Sequence, residues 1–224
     1  MARKTKQQAL ETREAILDAA AKVFYANGVA RSGLKEIAEQ ANVTRGAVYW
    51  HFKNKEDLFE ALHNRLHEPF VDVFLRDLET DHPLPLKRLE ELCTNALVEL
   101  SGDVNKQQIL SIFFLKCEYS GEMEHVLEKQ GIQKEKSRRL FEEYFDRAMA
   151  KGHTHKIFVP QVLSIGLWCY LSGIVHEFLR FPGKMNLQQQ APPLMRQFFN
   201  GFDRGAEPPQ GITCASHKFD PKDQ

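Results

Sequence analysis

Apolar residues recur at intervals of three and four along most of the chain, and no run alternates long enough to make a strand. Ile16, Leu17, Ala20, Val23 and Phe24 mark the inner side of a helix over about Gln8 to Asn27, which Gly28 ends. Leu34, Ile37, Ala38 and Ala41 predict a short helix, and a second short helix begins after Thr44. A long helix follows from Lys55 to about Glu79. Further helices are expected over roughly 85–101, 106–119, 122–151, 160–181 and 192–202, with breaks at Gly102-Asp103, Gly121, Gly152 and Pro182-Gly183. From Arg204 onward Pro, Gly, Lys and Asp dominate, which predicts a disordered tail. The expected fold is all-α, with a three-helix head over 1–54, a larger helical body over 55–203 and a tail over 204–224.

The segment 33–59 carries the most information. Gly33 stands where a cap is needed, and Glu36 three residues on supplies half of a capping box. Asn42 tolerates the left-handed turn, and Thr44 is placed to cap the second short helix. That helix offers Arg45, the one side chain in it able to grip guanine O6 and N7 in a bidentate way. Gly46 and Ala47 are small enough for close approach to base edges, and Tyr49 and His51 can donate to phosphates. Lys53 and Lys55 add charge, and Asn54 with Asp57 caps the long helix. Helix, tight turn and helix in this order make a helix-turn-helix for the DNA major groove.

Residues 37–59, Ile-Ala-Glu-Gln-Ala-Asn-Val-Thr-Arg-Gly-Ala-Val-Tyr-Trp-His-Phe-Lys-Asn-Lys-Glu-Asp-Leu-Phe, resemble the DNA-binding domain of the TetR family. The opening Met-Ala-Arg-Lys-Thr-Lys and Phe114-Leu-Lys-Cys-Glu are similar to its AcrR/TtgR-like branch, whose members repress multidrug efflux operons. The resemblance is specific over about residues 1–62, patchy to about 182 and absent beyond. It implies base contacts around Arg45, Gly46 and Ala47, and phosphate contacts from Thr44, Tyr49, His51 and Lys55. Many members carry a Thr where this chain has Gly33; Ser32 is the nearest substitute hydroxyl.

Formal net charge is zero, yet residues 1–55 hold ten Lys or Arg against five acids, leaving +5 there and −5 on the remainder. Such asymmetry fits a local DNA footprint. Arg3, Lys4 and Lys6 precede the first helix and either follow the DNA backbone or form a solvated terminus. The N-terminus is polar, with no signal-peptide pattern, so a cytoplasmic protein is expected. The uncharged stretch 159–175 contains Pro160 and Gln161, is short for a bilayer span and is read as a buried helix, with no membrane partner. Cys93, Cys117, Cys169 and Cys214 are far apart without a C-x-x-C; the first three are expected to be buried thiols.

Phe59, His63, His67, Phe70 and Phe74 form one stripe on the long helix. The His pair admits three readings: a metal pair, a core edge, or hydrogen-bonding groups in a ligand cavity. No carboxylate or Cys stands in register, so no metal and no cofactor are expected. Pro69 removes a helical hydrogen bond and predicts a kink there. With Phe113, Phe114, Cys117, Gln130, Phe141, Trp168 and His176, these residues are candidate lining for a small lipophilic, often cationic effector. His153-Thr-His155 is a loop pair. Val162, Ile165, Cys169, Ile174 and Phe178, with Leu194, Phe198, Phe199 and Phe202, leave more apolar surface than a monomer exposes and predict a homodimer.

The function expected is a dimeric repressor of a palindromic operator, released by a lipophilic compound, with an efflux operon as target by resemblance. Rivals are a same-fold activator, a cell-density regulator or a bile-salt or fatty-acid sensor. An enzyme with a DNA-binding head lacks support: there is no Gly-rich phosphate loop, no G-x-S-x-G and no H-E-x-x-H.

Overall fold

In the computed structural model the described residues are 6–119, 123–154 and 158–201. Arg3, Lys4, Gly121, His155, Phe202, Cys214 and the expected tail lie outside them. Within the described residues nine helices follow one another without a strand: α1 (Lys6–Asn27), α2 (Leu34–Gln40), α3 (Arg45–His51), α4 (Lys55–Leu78), α5 (Pro85–Gly102), α6 (Val104–Leu115), α7 (Glu124–Ala150), α8 (Pro160–Arg180) and α9 (Leu187–Asn200).

Chain punctuation sets most of these boundaries. Gly28 takes φ +79° and Asn42 φ +53°, left-handed positions that stop α1 and turn α2 into α3. Asp103 ends α5 and caps α6, its carboxylate accepting from the Lys106 amide at 2.9 Å. Asn54 accepts from the Asp57 amide at 2.8 Å, and Asp57 accepts from the Lys53 amide at 3.0 Å, so the head-to-body corner is held from both sides.

Two hydrophobic cores result. The first packs Ile16, Leu17 and Phe24 of α1 against Ile37, Val48, Phe52, Leu58, Phe59 and Leu62, and is completed from the body by Ile109, Ile112, Met123 and Val126. The second gathers Phe74, Leu89, Leu97, Phe141, Tyr144, Phe145, Leu167, Leu187, Met195 and Phe199. Helix α4 feeds both, passing unbroken through Pro69. Its far end is fixed by buried Asp77, which accepts from Arg88 Nε at 2.5 Å and from the Tyr144 hydroxyl at 2.7 Å.

Several expectations are corrected. Helix α6 stops at Leu115, four residues early, because Lys116 turns its carbonyl to the Val29 amide at 3.3 Å, hooking the end of α6 to the α1–α2 turn. Helix α9 starts at Leu187, not at the prolines. Asn186 accepts from the Gln189 amide at 3.3 Å, and Gln190 Oε1 accepts from the Asn186 amide at 2.7 Å. Pro192 and Pro193 therefore sit inside α9. The carbonyls they leave free are those of Gln188 and Gln189, both solvent-exposed, so water replaces the missing donors. Glu36 accepts from Asn27 Nδ2 at 2.6 Å, tying α2 to α1 where a capping box was expected. Cys93 is buried, but Cys117 is half-buried and Cys169 exposed.

Candidate operator interface and effector seam

Helix α3 is seven residues long, and its only fully buried side chain is Val48. At 100° per residue the direction opposite Val48 falls between Gly46 and Trp50. Trp50 is 72% exposed, and Tyr49 beside it is also exposed. Thr44 accepts from the Ala47 amide at 3.1 Å, which fixes the start of the helix and leaves the hydroxyl proton for a phosphate. The Arg45 guanidinium donates to the Tyr49 hydroxyl at 3.1 Å and lies 5.4 Å from the ring centroid. The pair holds Arg45 against Tyr49 on an exposed flank of the helix, and the Tyr49 O–H still has its proton to give. His51 packs edge-on to Trp50 with centroids 4.5 Å apart. Lys55 reaches the Ala30 carbonyl at 3.5 Å, and Lys6 is the exposed first residue of α1. Ser32 is buried and donates to the Gly28 carbonyl at 2.7 Å, so it does not replace a hydroxyl at Gly33.

Between the two cores runs a polar seam. Glu60 pairs with Lys129 at 2.7 Å, Asn64 accepts from Gln133 at 2.7 Å, and His67 meets the Ser137 hydroxyl at 2.8 Å. The contacts advance together along both helices, so α4 and α7 run in the same direction there. His63 and His67 stack at 5.3 Å, and His63 stands edge-on to Phe113, also at 5.3 Å. Burial first, then the neighbouring His67, pushes His63 down to about 4, so it is neutral at pH 7. Burial lowers His67 too and raises the half-buried Cys117 thiol to about 11, which keeps it protonated.

The eleven candidate ligand residues thus fall in three places. His63, His67, Phe113, Cys117 and Gln130 belong to the seam and its first-core side. Phe70, Phe74, Phe141 and Trp168 join the second core, with Phe74 and Phe141 fully buried. Phe114 and His176 meet on the outer side of α6 and α8, 6.5 Å apart. None of them lines the two surface depressions, of about 390 and 430 Å³, which open beside Phe181 and beside Arg138. Among the described residues no three His, Cys, Asp or Glu cluster in a way that could hold a metal.

The reading of 159–175 as a buried helix is also corrected. Helix α8 is long and apolar enough to cross a membrane by length and composition, but only 28% of that window is buried. Leu163, Ser164, Leu167, Ile174 and Leu179 face inward. Val162, Ile165 and Cys169 form an uncovered stripe, 62% and 49% exposed for the first two, and Gly166 and Gly173 leave open space beside it. Phe178, Leu194 and Phe198 are half-buried at its border, whereas Ile174 and Phe199 are buried in the protomer's own core.

Residues 16–62 match the family pattern of bacterial regulatory proteins of the tetR family, and residues 84–203 match the C-terminal region of MAATS-type transcriptional repressors. The chain belongs to the TetR family. It is 36% identical to the HTH-type transcriptional repressor BepR of Brucella suis over 79% of this chain and 85% of that protein. Among solved structures it superposes on NalD, the secondary repressor of the MexAB-OprM multidrug efflux pump in Pseudomonas aeruginosa. There the TM-score is 0.78 at 32% identity, covering 88% of this chain and 99% of NalD. It also superposes on SmeT of Stenotrophomonas maltophilia, solved with triclosan, at TM-score 0.79 and 28% identity, covering 88% and 93%.

In this TetR-family regulator α2 and α3 are the helix-turn-helix. Trp50 escaped the sequence reading, which weighed donors and small residues and passed over a large aromatic. The available signal was its i, i+4 spacing from Gly46, which puts both on the side facing away from buried Val48. His67 with Ser137 was legible only as half of a pair, since its partner lies 70 residues on in sequence.

Proposed function

We propose that this TetR-family regulator is a cytoplasmic homodimeric repressor of a multidrug efflux operon, released from a palindromic operator by a lipophilic effector. The observation that carries the DNA reading is the capped α3 with Gly46 and Trp50 turned away from Val48 and Arg45 and Tyr49 exposed on its flank. Arg45 reads a base, Gly46 and Ala47 allow close approach, and Thr44, Tyr49, His51, Lys55, Lys6 and Lys4 serve the phosphates. The uncovered α8 stripe with the α9 edge supports pairing of two copies, which sets two α3 helices about 34–36 Å apart or a multiple. Residues 1–54 then act as the DNA-binding domain and 55–203 as the effector and dimerisation domain. An effector that favours another arrangement of α4 lowers DNA affinity by its differential binding to the two states. The efflux target rests on relatives described as efflux-pump repressors.

Fluorescence anisotropy on DNA upstream of its own gene and neighbouring operons, with and without triclosan, tests this. Tight, salt-sensitive binding released by the compound is the expected result, and absence of specific binding overturns it. Arg45→Ala should cost about 1–3 kcal/mol and relax specificity at one base pair. Uniform weakening on every sequence would reassign Arg45 to a phosphate.

A further inference from the structure

Building on the effector-released regulator above, we infer that the effector is a phenol, an aromatic compound whose hydroxyl is held between His63 Nδ1 and Gln130 Nε2 at the α4–α7 seam. Three buried polar side-chain atoms among the described residues lack a hydrogen-bond partner: these two and His153 Nδ1. Buried polar groups are rarely left unmatched, and a pair of them at one seam calls for an explanation.

The register of the seam brings the two together. Gln130 follows Lys129, which faces Glu60, and precedes by one turn Gln133, which faces Asn64. His63 lies between Glu60 and Asn64 on α4. Both atoms therefore fall in the same interval between cross-links. Gln130 also borders the Tyr119 hydroxyl, without a hydrogen bond of normal geometry between them. Phe113, edge-on to His63 and 4.7 Å from Phe59, gives the interval an aromatic floor.

The chemistry of the two atoms selects the ligand. The amide nitrogen is only a donor. The imidazole is neutral at pH 7, so its unpaired Nδ1 can take a proton in a hydrogen bond. A hydroxyl accepts from the first and donates to the second, and an aryl ring carrying it suits Phe113 and Phe59. A cation finds no free counter-charge beside His63: Glu60 is already bound to Lys129, and near His67 the charges of Glu68 and Lys136 oppose each other. Because His63 sits on α4 eight residues after Lys55, a ring entering this interval presses on the helix that carries the head.

Calorimetric titration of the full chain at pH 6.5 tests the inference with triclosan, its methyl ether and tetraphenylphosphonium. The phenol should bind at least about tenfold more tightly than its ether and more tightly than the cation. His63→Leu and Gln130→Leu should each bring the phenol down to the ether's level, leave the ether unchanged and not lower Tm. Gln130→Met replaces a leucine variant that fails to fold. Equal affinity for phenol and ether, equal loss of both in the variants, tighter binding of the cation, or no binding of the phenol overturns the inference. Operator affinity is measured alongside: triclosan bound at this seam without release of DNA overturns the repressor-release reading and leaves the site standing.

Discussion

The two hydrophobic cores are built on different terms. The second is a closed body core in which Phe74, Phe141, Tyr144 and Phe145 interlock with α5, α8 and α9. The first is borrowed. Its α1–α3 part is finished by Ile109 and Ile112 of α6 and Val126 of α7, so the DNA-binding head has no core that closes without the body. A head of this kind is not passively tethered: whatever shifts α6 or α7 repacks the floor beneath α2 and α3. The polar seam lies between the two, and there two buried polar atoms stay unmatched.

The largest expected effect breaks the better-packed side. Phe141→Ala removes a fully buried ring and should cost about 3–5 kcal/mol. Because α4 and α6 serve both cores, calorimetry should give one transition moved to lower temperature. A head transition left in place would mean that the first core stands alone.

His63 sharpens the contrast by pH. Its folded pKa near 4 lies below the ordinary 6.5, so between those values the unfolded chain binds more protons and stability rises with pH. The full contribution is present above about pH 6.5 and is lost as pH falls toward 4. Wild-type protein should lose about 2–3 kcal/mol more than His63→Leu between pH 7 and 4.5 in urea unfolding. Parallel losses in the two proteins would show that His63 opens to solvent before it titrates.

The smallest effect concerns the head's edge. Thr44→Ala should cost about 1 kcal/mol at the start of α3, read as weaker operator binding with an unchanged salt slope. Operator affinity left unchanged would remove Thr44 from the phosphate contacts, since its neutral hydroxyl leaves the salt slope alone in either case.

Most of the head was legible in the sequence because its determinants are local: Asn42, Thr44, Asn54 and Gly28 each act within a few residues of themselves. The body was legible as helices but less so as surfaces. Hydrophobicity alone cannot tell a helix buried by its own chain from one left for a partner, so α8 was read both as a buried stretch and as apolar surface, and Ile174, expected on that surface, lies in the core while Val162 and Ile165 face out. The start of α9 was missed because Pro192 and Pro193 outweighed Asn186, whose capping role shows only once Gln189 and Gln190 turn back on it. The end of α6 was missed for a long-range reason, the pull of Val29 on Lys116.

That last contact also makes a reporter. The Val29 amide belongs to a buried residue, and its acceptor comes from 87 positions further along the chain. Its deuterium uptake therefore depends on how often the α1–α2 turn lets go of α6, rather than on fraying of any helix. One backbone proton, timed with neither DNA nor effector present, clocks how often the reading head comes loose from the part that senses.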